Sequence, residues 1–294
     1  MFRRIVRSMP IERAFFFGIL IGFGVFFLFS RFSGRNVGLQ QATPIGKPSG
    51  DVRTVVDART IKHFEVKAAD RKAMANGDTV GEFHNLLAPE VLCPNLFRVG
   101  RIGDGGKWIC GPQFIADWKK KCVIYSFGIN WDTSFETEIH GITQGKCDIV
   151  TVDSRRQNIP AKQLSAIGAP YVETAISSST NKTSTTVSDL MKRFNHDHID
   201  VLKMDIEGAE YAIADELFNM KICQIMVELH VSGDTLDYKK FVSWLQKASA
   251  AGYYLIHHEN NIKHYHCIEV TLIHENCFDR FGPLIPLTRF LNID

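Results

Sequence analysis

Four polar positions follow directly on short apolar runs, and their types suit the binding of a small cofactor and the movement of a proton. Tyr125-Ser126-Phe127-Gly128-Ile129-Asn130 ends one run, and Gly128 there lets the backbone approach a ligand closely. Asp153 ends the next, 25 residues after Gly128, near the spacing at which an acidic group takes both hydroxyls of a ribose. Asp205 closes a third run, within Lys203-Met-Asp-Ile-Glu207-Gly208, and Glu228-Leu-His230 closes a fourth. A carboxylate or a neutral imidazole at such a place can accept a proton near neutrality. His230 is the first choice for that base, with Glu207 and Asp205 next.

These residues act together only if the runs are strands of one sheet. Cys122–Phe127, Asp148–Val152, Tyr171–Ile176, Ile199–Met204 and Ile222–Val227 alternate with helical patterns, the signature of a largely parallel α/β sheet. Ligands of such sheets sit beyond the C-terminal strand ends, where the four polar positions fall. The helices are expected over Thr133–Ile142, with Thr133 and Glu136 as a capping box, then Pro160–Ile167, Val187–Phe194, Ala209–Asn219 and Thr235–Ala251. Glu207 and Glu210 could instead cap the helix that follows them. Tyr253–Glu259 and Ile262–Ile273 are joined only by Asn260-Asn261, too short for a crossover, and so form an antiparallel hairpin. The expected fold is a Rossmann-like sheet of seven strands, mostly parallel, closed by a reversed C-terminal hairpin as in class I methyltransferases.

The 294 residues carry 34 Lys+Arg against 32 Asp+Glu, are 45% hydrophobic, and have a mean hydropathy of −0.06. That composition excludes a mainly disordered, collagenous or polytopic chain. The net charge of +2 is unevenly placed: residues 1–35 hold six Arg and one Glu, a net of +5, which leaves −3 for the remainder. A large part with that balance lacks the clustered basic charge that binds nucleic acid. Residues 14–30 are seventeen uncharged residues, seven of them Phe, reaching about 26 Å as a helix. Arg3, Arg4, Arg7 and Arg13 before them orient the short N-terminus, 1–13, to the cytosol. Residues 14–30 are thus expected to contact membrane lipid as an uncleaved signal anchor of a single-pass type II protein. A cleaved signal peptide fits the exit Phe29-Ser-Arg-Phe-Ser33 poorly. Residues 31–80 read as stem, and 81–294 as one domain facing the secretory lumen of the Golgi or endoplasmic reticulum.

Leu202-Lys-Met-Asp-Ile-Glu-Gly-Ala-Glu210 with Ile225-Met-Val-Glu-Leu-His230 resembles the fourth- and fifth-strand signatures of the FkbM-like S-adenosylmethionine-dependent methyltransferases. Ser126–Asn130, Thr151-Val-Asp153 and Arg101-Ile-Gly-Asp-Gly-Gly-Lys-Trp-Ile-Cys110 resemble the animal methyltransferase-like branch of that superfamily, many of whose members cross a membrane once. The resemblance spans about residues 90–275. It implies S-adenosylmethionine as cofactor, with Ser126, Phe127, Gly128 and Asn130 around its methionine part, Asp153 on the ribose and Asp205 beside the sulfonium. It further implies O-methylation of a glycan, lipid or small-molecule hydroxyl. The first loop departs from the family pattern, with Trp131, Asp132, Thr133 and Ser134 where more glycine is usual. Two alternatives remain: a type II glycosyltransferase using Asp205 and Glu207 as a metal-holding pair, and a non-catalytic domain that kept the fold.

All seven cysteines follow residue 90. An oxidising lumen would pair some of them, Cys93 with Cys110 first, with Cys122 and Cys223 as buried thiols. No Cys-x-x-Cys occurs, and no metal site is expected. Asn181-Lys-Thr183 is the only N-glycosylation sequon. His257, His258, His264 and His266 read as polar residues of the hairpin.

Overall fold

The computed structural model describes residues 56–75, 87–155, 160–231, 235–261, 264, 267–282, 284–289 and 291, all within the second of two units, Gly46–Asp294. The expected anchor at 14–30 lies outside the described residues. Among those described, no helix is long and apolar enough to cross a membrane.

Seven strands form the central sheet: β1 Cys122–Phe127, β2 Cys147–Asp153, β3 Tyr171–Glu173, β4 Ile199–Met204, β5 Ile222–His230, β6 Tyr253–Asn260 and β7 Cys267–His274. Their order is β6-β7-β5-β4-β1-β2-β3. Only β7 runs antiparallel to its neighbours, inserted between β5 and β6. All six residues of β1 and of β4 are buried, as strands covered on both faces must be. Alternate residues of β1 therefore serve two cores. Val123, Tyr125 and Phe127 pack with Phe241, Trp244 and Leu245 of one helix layer, whereas Cys122 and Ile124 pack with Phe135 and Ile139 of the other. The sheet winds outward in both directions from β1 and β4, which makes the gap beyond their C-terminal ends the place where open α/β sheets bind ligands.

Among the described residues six α-helices accompany the sheet: α1 Ala58–Ala75, α2 Ser134–Ile142, α3 Ala161–Ala166, α4 Val187–Phe194, α5 Ala214–Phe218 and α6 Thr235–Ala250. Two depart from expectation. Thr133 makes no side-chain cap on α2; Asp132 accepts the Ser134 N–H at 3.0 Å instead. Glu136 turns inward because the Ser126 hydroxyl, fully buried in β1, needs an acceptor and donates to it. The helix expected from Ala209 shrinks to α5, since Glu207 (φ 58°) and Gly208 (φ 99°) take left-handed backbone and 209–213 form turns. The third apolar run also divides: Ala175–Ile176 leaves the sheet to pair with Ser184–Thr185.

The hairpin forms as expected, but its second strand starts at Cys267. His264 precedes that strand and is exposed, and His266 lies outside the described residues. An antiparallel ribbon, Leu96–Val99 with Lys107–Cys110, lies against the hairpin through Thr271, whose hydroxyl donates to the Trp108 carbonyl at 2.7 Å. Cys93 pairs with Cys110. Cys122 and Cys223 are not buried thiols: Cys122 bridges to Cys147 and Cys223 to Cys277, with Cα separations of 4.4 and 5.5 Å. Cys122 and Cys147 stand opposite each other as the first residues of paired strands β1 and β2, which brings their side chains together. Cys267 is the free, buried seventh.

Candidate active site

At the divide of the sheet the ends of β1 and β4 touch. The Asp205 N–H donates to the Phe127 carbonyl at 3.0 Å and the Gly128 N–H to that of Val152 at 2.9 Å. Gly128 has φ 74°, and a Cβ there would overlap the Asp205 carbonyl oxygen, so no other residue fits. Buried Lys203 reaches the Gly128 carbonyl at 3.1 Å and holds this crossing from below. Beyond it, Asn130 (φ 38°) and Trp131 (φ 56°) take left-handed backbone, which non-glycine residues adopt rarely. The turn brings the Asn130 N–H to Asp153 Oδ2 at 2.9 Å, while the Arg155 N–H bonds Oδ1 at 2.8 Å. Each carboxylate oxygen keeps a further acceptor site, the number a diol requires. Gly128, Asn130, Asp153, Ile176, Asp205 and Ile206 help line a cavity of about 200 Å³. Enclosed small-molecule sites run to roughly 300–1,000 Å³, so a ligand here stays partly open to solvent.

Asp205 joins this cavity to a second group of charges. Lys107, carried in by the ribbon, is buried with its ammonium against Glu269 at 2.5 Å and Glu228 at 3.8 Å. Burial opposes the charge of Lys107, yet Glu269, Asp205 and Glu228 outweigh it and raise its pKa. Burial also pushes Glu269 up to about 8, against the pull of Lys107. Burial likewise resists the charge of Glu228, but Lys107, Asn261, Glu269 and Cys267 together hold its pKa below the usual carboxylate range. Asp205 rises to about 6 through burial, opposed by Lys107 and reinforced by Glu228. Burial and the neighbouring Glu228 push the Cys267 thiol up to about 12, which leaves it no nucleophile.

His230 stands where β5 ends, with Nδ1 3.3 Å from Glu210 Oε1 and Nε2 3.9 Å from Asp205 and 3.7 Å from Glu207. Burial disfavours the imidazolium, but Glu210, Glu228 and Asp205 overcome that and raise His230 to about 9. The premise of a neutral imidazole near pH 7 therefore fails, because three carboxylates surround the ring.

Gly128, Asn130, Asp153, Asp205 and Glu207 line the cavity together, whereas His230 stands behind Asp205 and outside the lining. The side chains of Ser126 and Phe127 do not reach it. Both are fully buried, Ser126 on Glu136 and Phe127 against Tyr125, because their strand is covered on both faces. Glu210 caps no helix; it is fully buried and accepts the Ile206 N–H at 3.0 Å. Lys107 and Glu269 escaped the sequence reading. The signal for Glu269 was a charge inside the apolar run Ile268-Glu-Val-Thr-Leu-Ile273, and for Lys107 a lysine between paired glycines and a tryptophan.

Solved structures similar to this chain include the precorrin-6y C5,15-methyltransferase of Geobacter metallireducens GS-15. It shares 13% identity over 55% of this chain and 84% of its own, with a TM-score of 0.36. TrmK of M. capricolum, solved with the natural cofactor product S-adenosyl-homocysteine, shares 16% over 58% and 74%, at 0.35. The fibrillarin pre-rRNA processing protein of Methanococcus jannaschii shares 12% over 60% and 82%, at 0.37. No curated protein matches the chain. The model of the methyltransferase domain family matches residues 56–274, which include every strand of the sheet and the whole of the cavity described above. The chain belongs to that family: it is a methyltransferase.

Proposed function

We propose that this methyltransferase transfers a methyl group to a hydroxyl oxygen of a glycan, lipid or small molecule in the lumen of the secretory pathway, anchored through residues 14–30. The observation that carries the acceptor chemistry is Asp205, a carboxylate in the cleft wall with its pKa raised to about 6. Such a group is mostly ionised at neutral pH yet basic enough to take the proton a hydroxyl loses as it is methylated. Asp205 and Glu207 act here as proton acceptor and acceptor-facing carboxylate, with His230 behind them. S-adenosylmethionine, when bound, supplies an electrophilic methyl group. Asp153 would hold its ribose, and the backbone of Gly128 and Asn130 would face its methionine part. The carboxylates around the acceptor side disfavour a phosphate backbone, which supports neutral or cationic acceptors over nucleic acid.

Three disulfides support the compartment, since such bonds persist in oxidising lumens and are rare in the cytosol. Asn181 supports it as well. Its Oδ1 accepts from the N–H groups of Thr183 and Ser184 in an exposed turn, a geometry that leaves the amide nitrogen free to carry a glycan.

Full-length protein in detergent, given S-adenosylmethionine with a tritiated methyl group, should label neutral glycans, glycolipids or phenols in alkali-stable ether linkage. Asp205→Asn should remove that labelling. Label confined to RNA would overturn the acceptor class, and label confined to peptide nitrogen or to alkali-labile esters would overturn the hydroxyl assignment.

A further inference from the structure

We propose that Glu228, His230 and Cys267 are the protein ligands of one divalent transition-metal ion of the zinc class, bound beside the cofactor cleft. No cysteine spacing announced such a site, because its ligands come from the end of β5 and the start of β7, antiparallel neighbours in which His230 pairs with Cys267. A ring nitrogen of His230, a carboxylate oxygen of Glu228 and Cys267 Sγ lie within 4.8 Å of one another. Zinc bonds of about 2.0–2.3 Å set ligand separations near 3.4–3.8 Å, within reach of small side-chain adjustments. Imidazole, carboxylate and thiolate together suit a borderline cation such as zinc better than calcium or magnesium, which prefer oxygen alone.

A second observation is independent of that spacing. Glu210 has no exposed surface, its Oε1 lies 3.3 Å from His230 Nδ1, and its Oε2 accepts no hydrogen bond among the described residues. A buried carboxylate beside one ring nitrogen is the backing that metal-binding histidines characteristically have, and Nδ1 itself makes no hydrogen bond of good geometry among the described residues. Asn261 donates to Glu228 Oε1 at 3.1 Å and steadies the second ligand. Cys267, the third, is the one cysteine of seven without a disulfide partner, and it is buried against Glu228. An all-oxygen grouping of Asp104, Asp205 and Glu228 also exists. That grouping shares Glu228, whose Oε2 faces the Lys107 ammonium at 3.8 Å, but it lacks the nitrogen and sulfur donors that select the zinc class.

The task of such an ion would be to fix His230 and Glu228 behind Asp205 and so hold that carboxylate's surroundings in place. That task rests on the methyl-transfer reading; the binding of the metal does not. The test is a titration of full-length protein in detergent, stripped with chelator, by Co²⁺ and by Zn²⁺. One cobalt per chain should bind, with a thiolate-to-cobalt charge-transfer band in the near ultraviolet. Cys267→Ser should lose the band, and His230→Gln should weaken binding at least tenfold. Should either variant fold poorly, the wild type carries the test alone: Zn²⁺ should displace the bound Co²⁺ and abolish the band. Substoichiometric cobalt, a spectrum without the thiolate band, or a band indifferent to zinc would overturn the proposal. Calorimetry with S-adenosylmethionine on the same chelated protein reports on the cofactor separately, so failure of one reading is not mistaken for failure of the other.

Discussion

His230 sits among Glu210, Glu228 and Asp205, and that placement ties the protein's stability to pH. Its folded pKa of about 9 lies above the ordinary 6.5. Its contribution is therefore fully present below pH 6.5 and lost as pH rises through 9. With chelator present, unfolding free energies of wild type and His230→Gln should converge over that interval, by on the order of 3 kcal/mol. A difference that does not vary between pH 6 and 10 would show that the imidazolium is not held by its neighbours. Asp153 and Asp205 were legible as single residues because each ends a strand, and strand ends of such sheets face the ligand. Lys107 and Glu269 were not legible, because their charges make sense only as a pair and the partners lie 162 residues apart. Ser126 was legible as a position but not as a direction. Its hydroxyl points into the layer of α2, toward a glutamate that the capping pattern had assigned elsewhere.

Among the elements, the strands and the hairpin were readable because their signals are local: unbroken apolar runs, and a connection too short for a helix. The segment after Asp205 was misread because nothing in its composition announces that Glu207, ahead of Gly208, adopts left-handed backbone. The disulfides add constraints that propensity does not show. Cys122–Cys147 joins the starts of β1 and β2, and Cys223–Cys277 joins the start of β5 to the chain after β7. The enclosed separations of 17, 25 and 54 residues correspond to about 3 to 4 kcal/mol of stabilisation each through the unfolded chain. Denaturant unfolding with and without a strong reductant should show a loss of several kcal/mol. Equal midpoints would mean that the bridges do not form in the native protein.

On the scale of the whole molecule, charge and covalent chemistry point the same way. The basic surplus belongs to residues 1–35, ahead of a mildly acidic remainder that holds all of the cysteines and the one sequon. Peptide amidase treatment of protein from a eukaryotic secretory host should sharpen and lower its band, with no such change in Asn181→Gln. Alkaline carbonate should leave the full-length chain in the membrane pellet. An unglycosylated chain released by carbonate would contradict luminal anchoring while leaving the catalytic domain untouched. The central claim is that the cleft between β1, β2 and β4 binds S-adenosylmethionine through Asp153. Calorimetric titration of the full-length protein with S-adenosylmethionine tests it most directly. The account predicts one site per chain, weakened at least tenfold in Asp153→Ala, whose loss removes the diol acceptors and frees the Asn130 and Arg155 N–H groups. No heat of binding in wild type, or equal affinity in Asp153→Ala, would contradict it.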